Sequence, residues 1–156
     1  MKDQEFQELV DVNKYQVFLF TCPVTIPLNF AVHPWIVTNR VGEIDRWEVW
    51  QDADQCKTSY SHVHRNLLDL SQGVRKWPYG NSRFDSKLIG KIEGDVNSIA
   101  DRMSNFIEVT SPRYHHREKY RLLGPNSNTF VQWILDEYPR SNLRLPVNAI
   151  GKGYTK

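Results

Sequence analysis

A turn that runs directly into an amphipathic helix is the feature of this sequence that most constrains its fold. The stretch 124–133 begins with a Gly-Pro turn signal, continues through small polar residues and passes into an apolar pattern. Phe130 and Ile134 recur at helical spacing, and Pro139 ends the run. Ser127 is therefore predicted at a helix N-terminus, where free N–H groups and the helix dipole favour negative charge.

Two interpretations of Ser127 follow from this position. A serine at a helix N-terminus can act as a nucleophile or bind an anion. Ser127 or a neighbour can equally serve only as the helix cap, and Thr129 and Gln132 have the spacing of a capping box. This stretch alone does not separate a chemical role from capping.

The composition is that of an ordinary globular protein. A chain of 156 residues with 40% hydrophobic and 12% aromatic residues predicts a single domain over 1–156 with one packed core. The net charge of +2 is too small to indicate a nucleic-acid partner or an anionic membrane surface. Cys22 and Cys56 have neither metal-like spacing nor the density of a disulfide scaffold. We expect no nucleic acid and no cofactor.

No segment has the pattern of a secretion signal or a membrane span. Residues 1–12 carry acidic residues where a signal peptide carries basic ones. The apolar run over 15–32 is interrupted by Pro23, Pro27 and Asn29, which makes it a poor transmembrane segment. We expect a cytoplasmic protein, and the sequence leaves its oligomeric state open.

The order of the predicted elements indicates an α+β domain in which a small antiparallel sheet packs against helices. Runs of β-branched and aromatic residues predict strands, and apolar residues at helical spacing predict helices. Residues 1–14 predict an arm or a short helix, and residues 143–156 predict an extended tail packed on the body. Between them the sequence predicts strands at 15–22, 30–38, 44–50 and 87–92, a long ordered loop at 73–86, a helix over 96–108 capped by Asp95, and the helix that follows residue 126.

The predicted hairpin places a histidine beside a carboxylate. If residues 39–42 form a four-residue loop, His33 faces Glu48 and Trp35 faces Arg46. A carboxylate beside an imidazole fixes its tautomer, which is how a catalytic base is oriented. The same pair can instead be a structural ion pair, with Trp35 stacked on Arg46.

A second pair of histidines offers a weaker alternative. His62 and His64 would point the same way on a strand, and with His33 and Glu48 nearby they could hold zinc. The pair has no third ligand at a recognisable spacing. We therefore expect no stoichiometric zinc.

Two motifs near the C-terminus resemble the signature of a bacterial family of unknown function. They are GPNSNTF at 124–130 and LPVNAIGK at 145–152, which match a GPNSNTF-type motif and an LP-x-x-AIGK-type ending. The order of His33, a polar residue on the next strand and a late helix opened by 126–130 is also similar to circularly permuted papain-like proteins. These include NlpC-like peptidases and lecithin:retinol acyltransferase-like enzymes, in which a cysteine stands where this chain has Ser127.

The papain-like resemblance implies a permuted papain-like fold and a hydrolase or acyltransferase that acts on an amide or ester. Ser127 would be the nucleophile, His33 the base and Glu48 the orienting group, with Asp45 as an alternative. Serine has a far higher pKa than a thiol, so it requires a strong base and an oxyanion hole. The candidates for oxyanion or substrate binding are Asn126, Asn128, Gly151 and Lys152.

Two other functions remain open. The first is a non-catalytic module that keeps the papain-like cleft to bind a peptide-like or acyl group. The second is a metal-dependent hydrolase that uses His62 and His64.

Overall fold

A six-stranded antiparallel sheet forms the centre of the computed structural model, which describes residues 1, 3–24, 30–76 and 80–154. The strands are β1 Tyr15–Pro23, β2 Val32–Arg40, β3 Glu43–Val49, β4 Ser59–Tyr60, β5 Val63–Arg65 and β6 Lys87–Gly94. They lie in the order β4-β5-β3-β2-β1-β6, and neighbouring strands are antiparallel. The predicted α+β class with an antiparallel sheet is confirmed.

The two faces of the sheet have different coverings. The helices are α1 Asp3–Gln7, α2 Ile99–Thr110 and α3 Ser127–Glu137, with 3-10 turns at Ser111–Arg113 and Pro139–Ser141. Ile107 of α2 and Ile134 of α3 share a buried cluster with Ile36 of β2, so these two helices cover one face. On the other face, Phe6 of α1 contacts Phe18 edge to face, with ring centroids 5.1 Å apart.

The turn between β2 and β3 is shorter than the sequence predicts. It consists of Val41 and Gly42, which both have positive φ (54° and 95°), and Thr38 pairs with Asp45. The predicted four-residue loop over 39–42 was therefore wrong, and the register is displaced by two residues. Side chains alternate between faces with a period of two, so a two-residue displacement leaves every side chain on its predicted face.

The helix predicted over 96–108 begins three residues later. Its cap is Ser98, whose hydroxyl accepts a hydrogen bond from the Asp101 backbone N–H at 3.1 Å. Asp95 was therefore the wrong cap: its side chain instead receives a hydrogen bond from Lys14 Nζ at 2.7 Å. Two polar residues with similar cap propensity compete here, and tertiary contacts decide between them.

The C-terminal tail contributes to the main core. Leu143, Leu145 and Ala149 are buried in the same cluster as α2 and α3. Residues 155–156 of the predicted tail, like residues 77–79 of the predicted loop, lie outside the described residues. Within the described ranges, no helix is long and apolar enough to cross a membrane.

Candidate functional site

The N-terminus of α3 is capped by Asn126. Its side-chain oxygen accepts hydrogen bonds from the N–H groups of Asn128 at 3.0 Å and Thr129 at 3.2 Å. The Thr129 hydroxyl in turn accepts from the Asn126 N–H at 3.2 Å, which completes a capping box. The capping box predicted between Thr129 and Gln132 was wrong, because the observed box joins Asn126 and Thr129, one helical turn earlier. Ser127 is the first helical residue, so its hydroxyl is not the cap.

The turn before α3 is held by the C-terminal tail. The Asn126 amide donates to the carbonyl of Ile150 at 3.1 Å, and the Thr129 hydroxyl donates to that of Gly151 at 2.7 Å. Gly151 has φ +90°, and a Cβ there would lie 2.5 Å from the Asn126 amide nitrogen. The tail therefore approaches the turn so closely that only glycine fits. The two C-terminal sequence motifs are the two sides of this contact.

The four residues predicted to bind an oxyanion or substrate make internal contacts. Asn128 donates through its amide to the carbonyls of Val32 at 3.1 Å and Ile150 at 2.9 Å, and the Asn126 amide also uses both of its N–H groups. Lys152 Nζ donates to the Pro146 carbonyl at 2.9 Å. The amides thus position the start of α3. The main-chain N–H of Ser127 has no hydrogen-bond partner among the described residues, and it is the donor that an oxyanion can use.

The predicted histidine–carboxylate pair is present and buried. His33 Nε2 lies 2.9 Å from Glu48 Oε2, so the prediction that they share one face is confirmed. Arg46 donates to Oε2 at 2.8 Å, and its Nε approaches Oε1 at 2.8 Å without hydrogen-bond alignment. Burial raises the pKa of Glu48, but Arg46 and His33 outweigh it and bring this pKa down to about 2. Arg46 also stacks over Trp35 at 4.2 Å, as the ion-pair interpretation predicts.

One nitrogen of His33 remains available. With Nε2–H donating to Glu48, the neutral imidazole has Nδ1 as its acceptor. Within the described part of the chain, Nδ1 has no hydrogen-bond partner. The ring is held edge to face against Trp50, with centroids 5.3 Å apart. The ring is therefore held in a fixed orientation, with Nδ1 as the nitrogen that no described residue binds.

His33 and Ser127 line the same cavity, which has a volume of about 860 Å³. They reach it from different sides, because His33 projects from the sheet face opposite to the one that α3 covers. The Asn128 amide joins these sides by binding the Val32 carbonyl, which belongs to the peptide bond that precedes His33. Among the described residues, Ser127 Oγ makes no hydrogen bond to His33. The two groups therefore share one cavity, and no hydrogen bond between described residues joins them.

A family model described as "Protein of unknown function (DUF3750)" matches residues 14–154. The chain belongs to the DUF3750 family. No curated protein and no solved structure matches it. Membership confirms the predicted relationship to an uncharacterised family and carries no activity with it.

Each histidine of the pair in this DUF3750 chain has hydrogen-bond partners of its own among the described residues. His62 lies in the turn between β4 and β5, and its Nδ1 donates to the Trp50 carbonyl at 2.9 Å. His64 binds Ser59 Oγ through Nδ1 at 2.6 Å and the Asp52 carbonyl through Nε2 at 3.1 Å. No group of three or more histidine, cysteine, aspartate or glutamate side chains among the described residues could hold a metal.

The alternative orienting group, Asp45, belongs to another network. Arg65 donates to both of its carboxylate oxygens, at 2.8 and 2.6 Å, and Asn66 donates at 2.7 Å. Asp45 pairs with Thr38 in the register, which places it on the face opposite to His33. The geometry leaves Glu48 as the carboxylate that contacts His33.

One residue of this site in the DUF3750 chain, Arg46, has a role that was not predicted from the sequence. Arg46 was expected only as a stacking partner of Trp35, yet it also holds the Glu48 carboxylate. The sequence contained a sign of this contact, because Arg46 and Glu48 are two residues apart on a predicted strand and residues at that spacing share a face. Arg46 NH1 donates further to the carbonyls of Asp69 and Gln72, at 2.8 and 2.5 Å, and no sequence rule points to those partners.

Proposed function

We propose that the cavity is a hydrolase or acyltransferase site acting on an amide or ester through Ser127, His33 and Glu48. The observation that carries this proposal is that Ser127 and His33, far apart in the sequence, line one cavity. The capping of α3 by Asn126 supports it, because the Ser127 hydroxyl is not needed for the helix. The unused Nδ1 of His33 supports it as well.

The roles follow from the atoms that remain available. Ser127 Oγ attacks the carbonyl carbon of the substrate while its proton passes to His33 Nδ1. Glu48 holds the imidazole through Nε2–H, and the Ser127 N–H donates to the developing oxyanion. Collapse of the tetrahedral intermediate breaks the bond to the amine or alcohol, which leaves with the proton from His33. Water or a second acceptor then takes the acyl group from Ser127.

The permuted papain-like resemblance agrees with this assignment. The helix that Ser127 opens packs on the sheet that carries His33, on the face opposite to the His33 side chain, and a carboxylate from the next strand orients His33. Serine in place of cysteine requires that Ser127 Oγ and His33 Nδ1 come within hydrogen-bond distance when substrate binds. Catalytic hydrogen bonds are often long before substrate is present.

A serine-reactive fluorophosphonate probe tests the proposal. We expect labelling of the purified protein at Ser127, found by peptide mapping, and its loss in Ser127→Ala and His33→Gln. Ser59→Ala is the matched control, because the Ser59 hydroxyl also lies beside an imidazole, 2.6 Å from His64. Labelling that survives Ser127→Ala, or that maps to Ser59, would remove Ser127 as the nucleophile.

A non-catalytic binding module is the second candidate, and a specific observation favours it. Ser127 Oγ and His33 make no hydrogen bond among the described residues, and the Glu48 charge is balanced by buried Arg46. In that case the cavity binds a peptide-like or acyl group without turnover. Ligand binding with the same affinity in wild type and Ser127→Ala, together with no probe labelling, would identify this function.

A further inference from the structure

We propose that Arg75 and Arg83 form an anion-binding end of the cavity, so that its ligand carries a carboxylate or phosphate on an apolar body. That this ligand is a substrate rests on the proposed function, whereas anion binding does not.

The two arginines are placed opposite each other by a short ribbon. Arg75 and Arg83 form an isolated antiparallel bridge. Flanking backbone hydrogen bonds, from the Phe84 N–H to the Val74 carbonyl and from Lys76 to Ser82, both 2.9 Å, fix the register. Residues directly opposite in an antiparallel pair have adjacent side chains, and two like charges there are destabilising. Both arginines line the cavity that contains Ser127 and His33.

Neither guanidinium is neutralised within the described part of the chain. Arg40, Arg46 and Arg65 all form ion pairs with carboxylates, but Arg75 and Arg83 form none with any described residue. To the described residues, the Arg83 side chain makes one hydrogen bond, which goes to the Gly73 carbonyl at 3.3 Å. The described residues that line the cavity include no aspartate or glutamate. The cavity is therefore electropositive at this end, although the whole chain carries only +2.

The rest of the cavity selects an apolar body. Much of its wall is aliphatic, including Leu67, Leu68, Val74, Leu122 and Ile150. Arginine pairs bind carboxylate and phosphate oxygens through charge-assisted and often bidentate hydrogen bonds. An anionic group between the arginines would relieve their repulsion while the remainder of the ligand contacts the aliphatic wall. An amide or ester of this kind would extend toward Ser127 and His33.

Four probes of equal chain length test the proposal by isothermal titration calorimetry: octanoate, octyl phosphate, octanol and octylamine. We expect at least one anionic probe to bind about tenfold or more tightly than octanol, and octylamine to bind more weakly still. Arg75→Gln and Arg83→Gln should each lower the affinity for the anionic probe about tenfold and leave the affinity for octanol unchanged. Added salt should lower the affinity of the wild-type protein for the anionic probe.

Arg113→Gln is the matched control, because Arg113 is exposed, does not line the cavity and has no ion pair among the described residues. It should bind the anionic probes as wild type does. Tighter binding of octanoate identifies a carboxylate ligand, and tighter binding of octyl phosphate a phosphate ligand. Octanol binding as tightly as both anions, no binding of either anion, or anion binding unaffected by both arginine variants would overturn the proposal.

The two proposals fail separately. Anion binding that depends on Arg75 and Arg83, without fluorophosphonate labelling, would keep the anion site and remove the hydrolase. Labelling of Ser127 without any preference for the anionic probes would keep the hydrolase and remove the anion site.

Discussion

Replacing Glu48 with glutamine should destabilise the protein strongly near neutral pH and much less in acid. Arg46 and Glu48 are both fully buried, and glutamine would leave the Arg46 guanidinium without its counter-charge. Removing one partner of a buried ion pair typically costs about 3–5 kcal/mol. Glutamine keeps an oxygen that can accept from His33 and Arg46, so the loss is mainly that of the charge.

The pH dependence has a defined sign. The pKa of Glu48 is about 2 in the folded protein against an ordinary value of 4.5, so the unfolded chain binds more protons between these values. The stability that this carboxylate contributes is fully present above pH 4.5 and is lost as the pH falls toward 2. At roughly 1.4 kcal/mol for each pKa unit, the contribution at neutral pH is about 3 kcal/mol.

Urea unfolding followed by tryptophan fluorescence, at about pH 7, 5 and 3, measures this contribution. We expect the unfolding free energy of the wild type to exceed that of Glu48→Gln by about 3–5 kcal/mol at neutral pH, and this difference to be about 2 kcal/mol smaller at pH 3. Glu43→Gln is the control on the same strand, because the Glu43 side chain is 73% exposed and should change stability by less than about 0.5 kcal/mol. A difference below about 1 kcal/mol at neutral pH, or one that does not change with pH, would refute the reasoning.

Three further outcomes are expected. Asn126→Ala should lower the unfolding free energy by about 1–2 kcal/mol in urea titrations, while Ser127→Ala should change it by less than about 0.5 kcal/mol, because only Asn126 caps α3. Gly151→Ala should cost at least about 1 kcal/mol in the same assay, since φ +90° and a Cβ 2.5 Å from the Asn126 amide both oppose it. Iodoacetamide should modify Cys56 well before Cys22, as measured by mass spectrometry. Burial raises the pKa of the Cys22 thiol to about 11. In the half-buried Cys56, hydrogen bonds from neighbouring hydroxyls outweigh burial and lower the pKa of the thiol.

The sequence predicted faces and elements better than it predicted turns and caps. His33 and Glu48 share a face despite a wrong loop length, because a two-residue displacement preserves the alternation of a strand. Val41 at φ 54° could not be anticipated, since β-branched residues rarely adopt that conformation. The register was therefore set by pairing along β2 and β3 and not by turn chemistry that the sequence displays.

The candidate site could be predicted only in its local parts. Ser127 at a helix start and His33 beside Glu48 each follow from patterns within a few residues. Their shared cavity depends on contacts between distant segments, which no local rule provides. The contact of Arg46 with Glu48 could have been predicted from strand alternation. The position of Arg75 and Arg83 in the cavity could be recognised only from the structure.

The contact between the α3 turn and the C-terminal tail explains why the distant parts of this cavity depend on one another. The Asn128 amide donates to the carbonyls of Val32 and Ile150, so it fixes the start of β2 and the tail at once. The Thr129 hydroxyl donates to the carbonyl of Gly151, the next residue of the same tail. Any loosening of the tail would therefore move Ser127 relative to His33. The two C-terminal motifs hold the geometry of the cavity, and the Ser127 side chain, between the amides of Asn126 and Asn128, makes no hydrogen bond to any described residue.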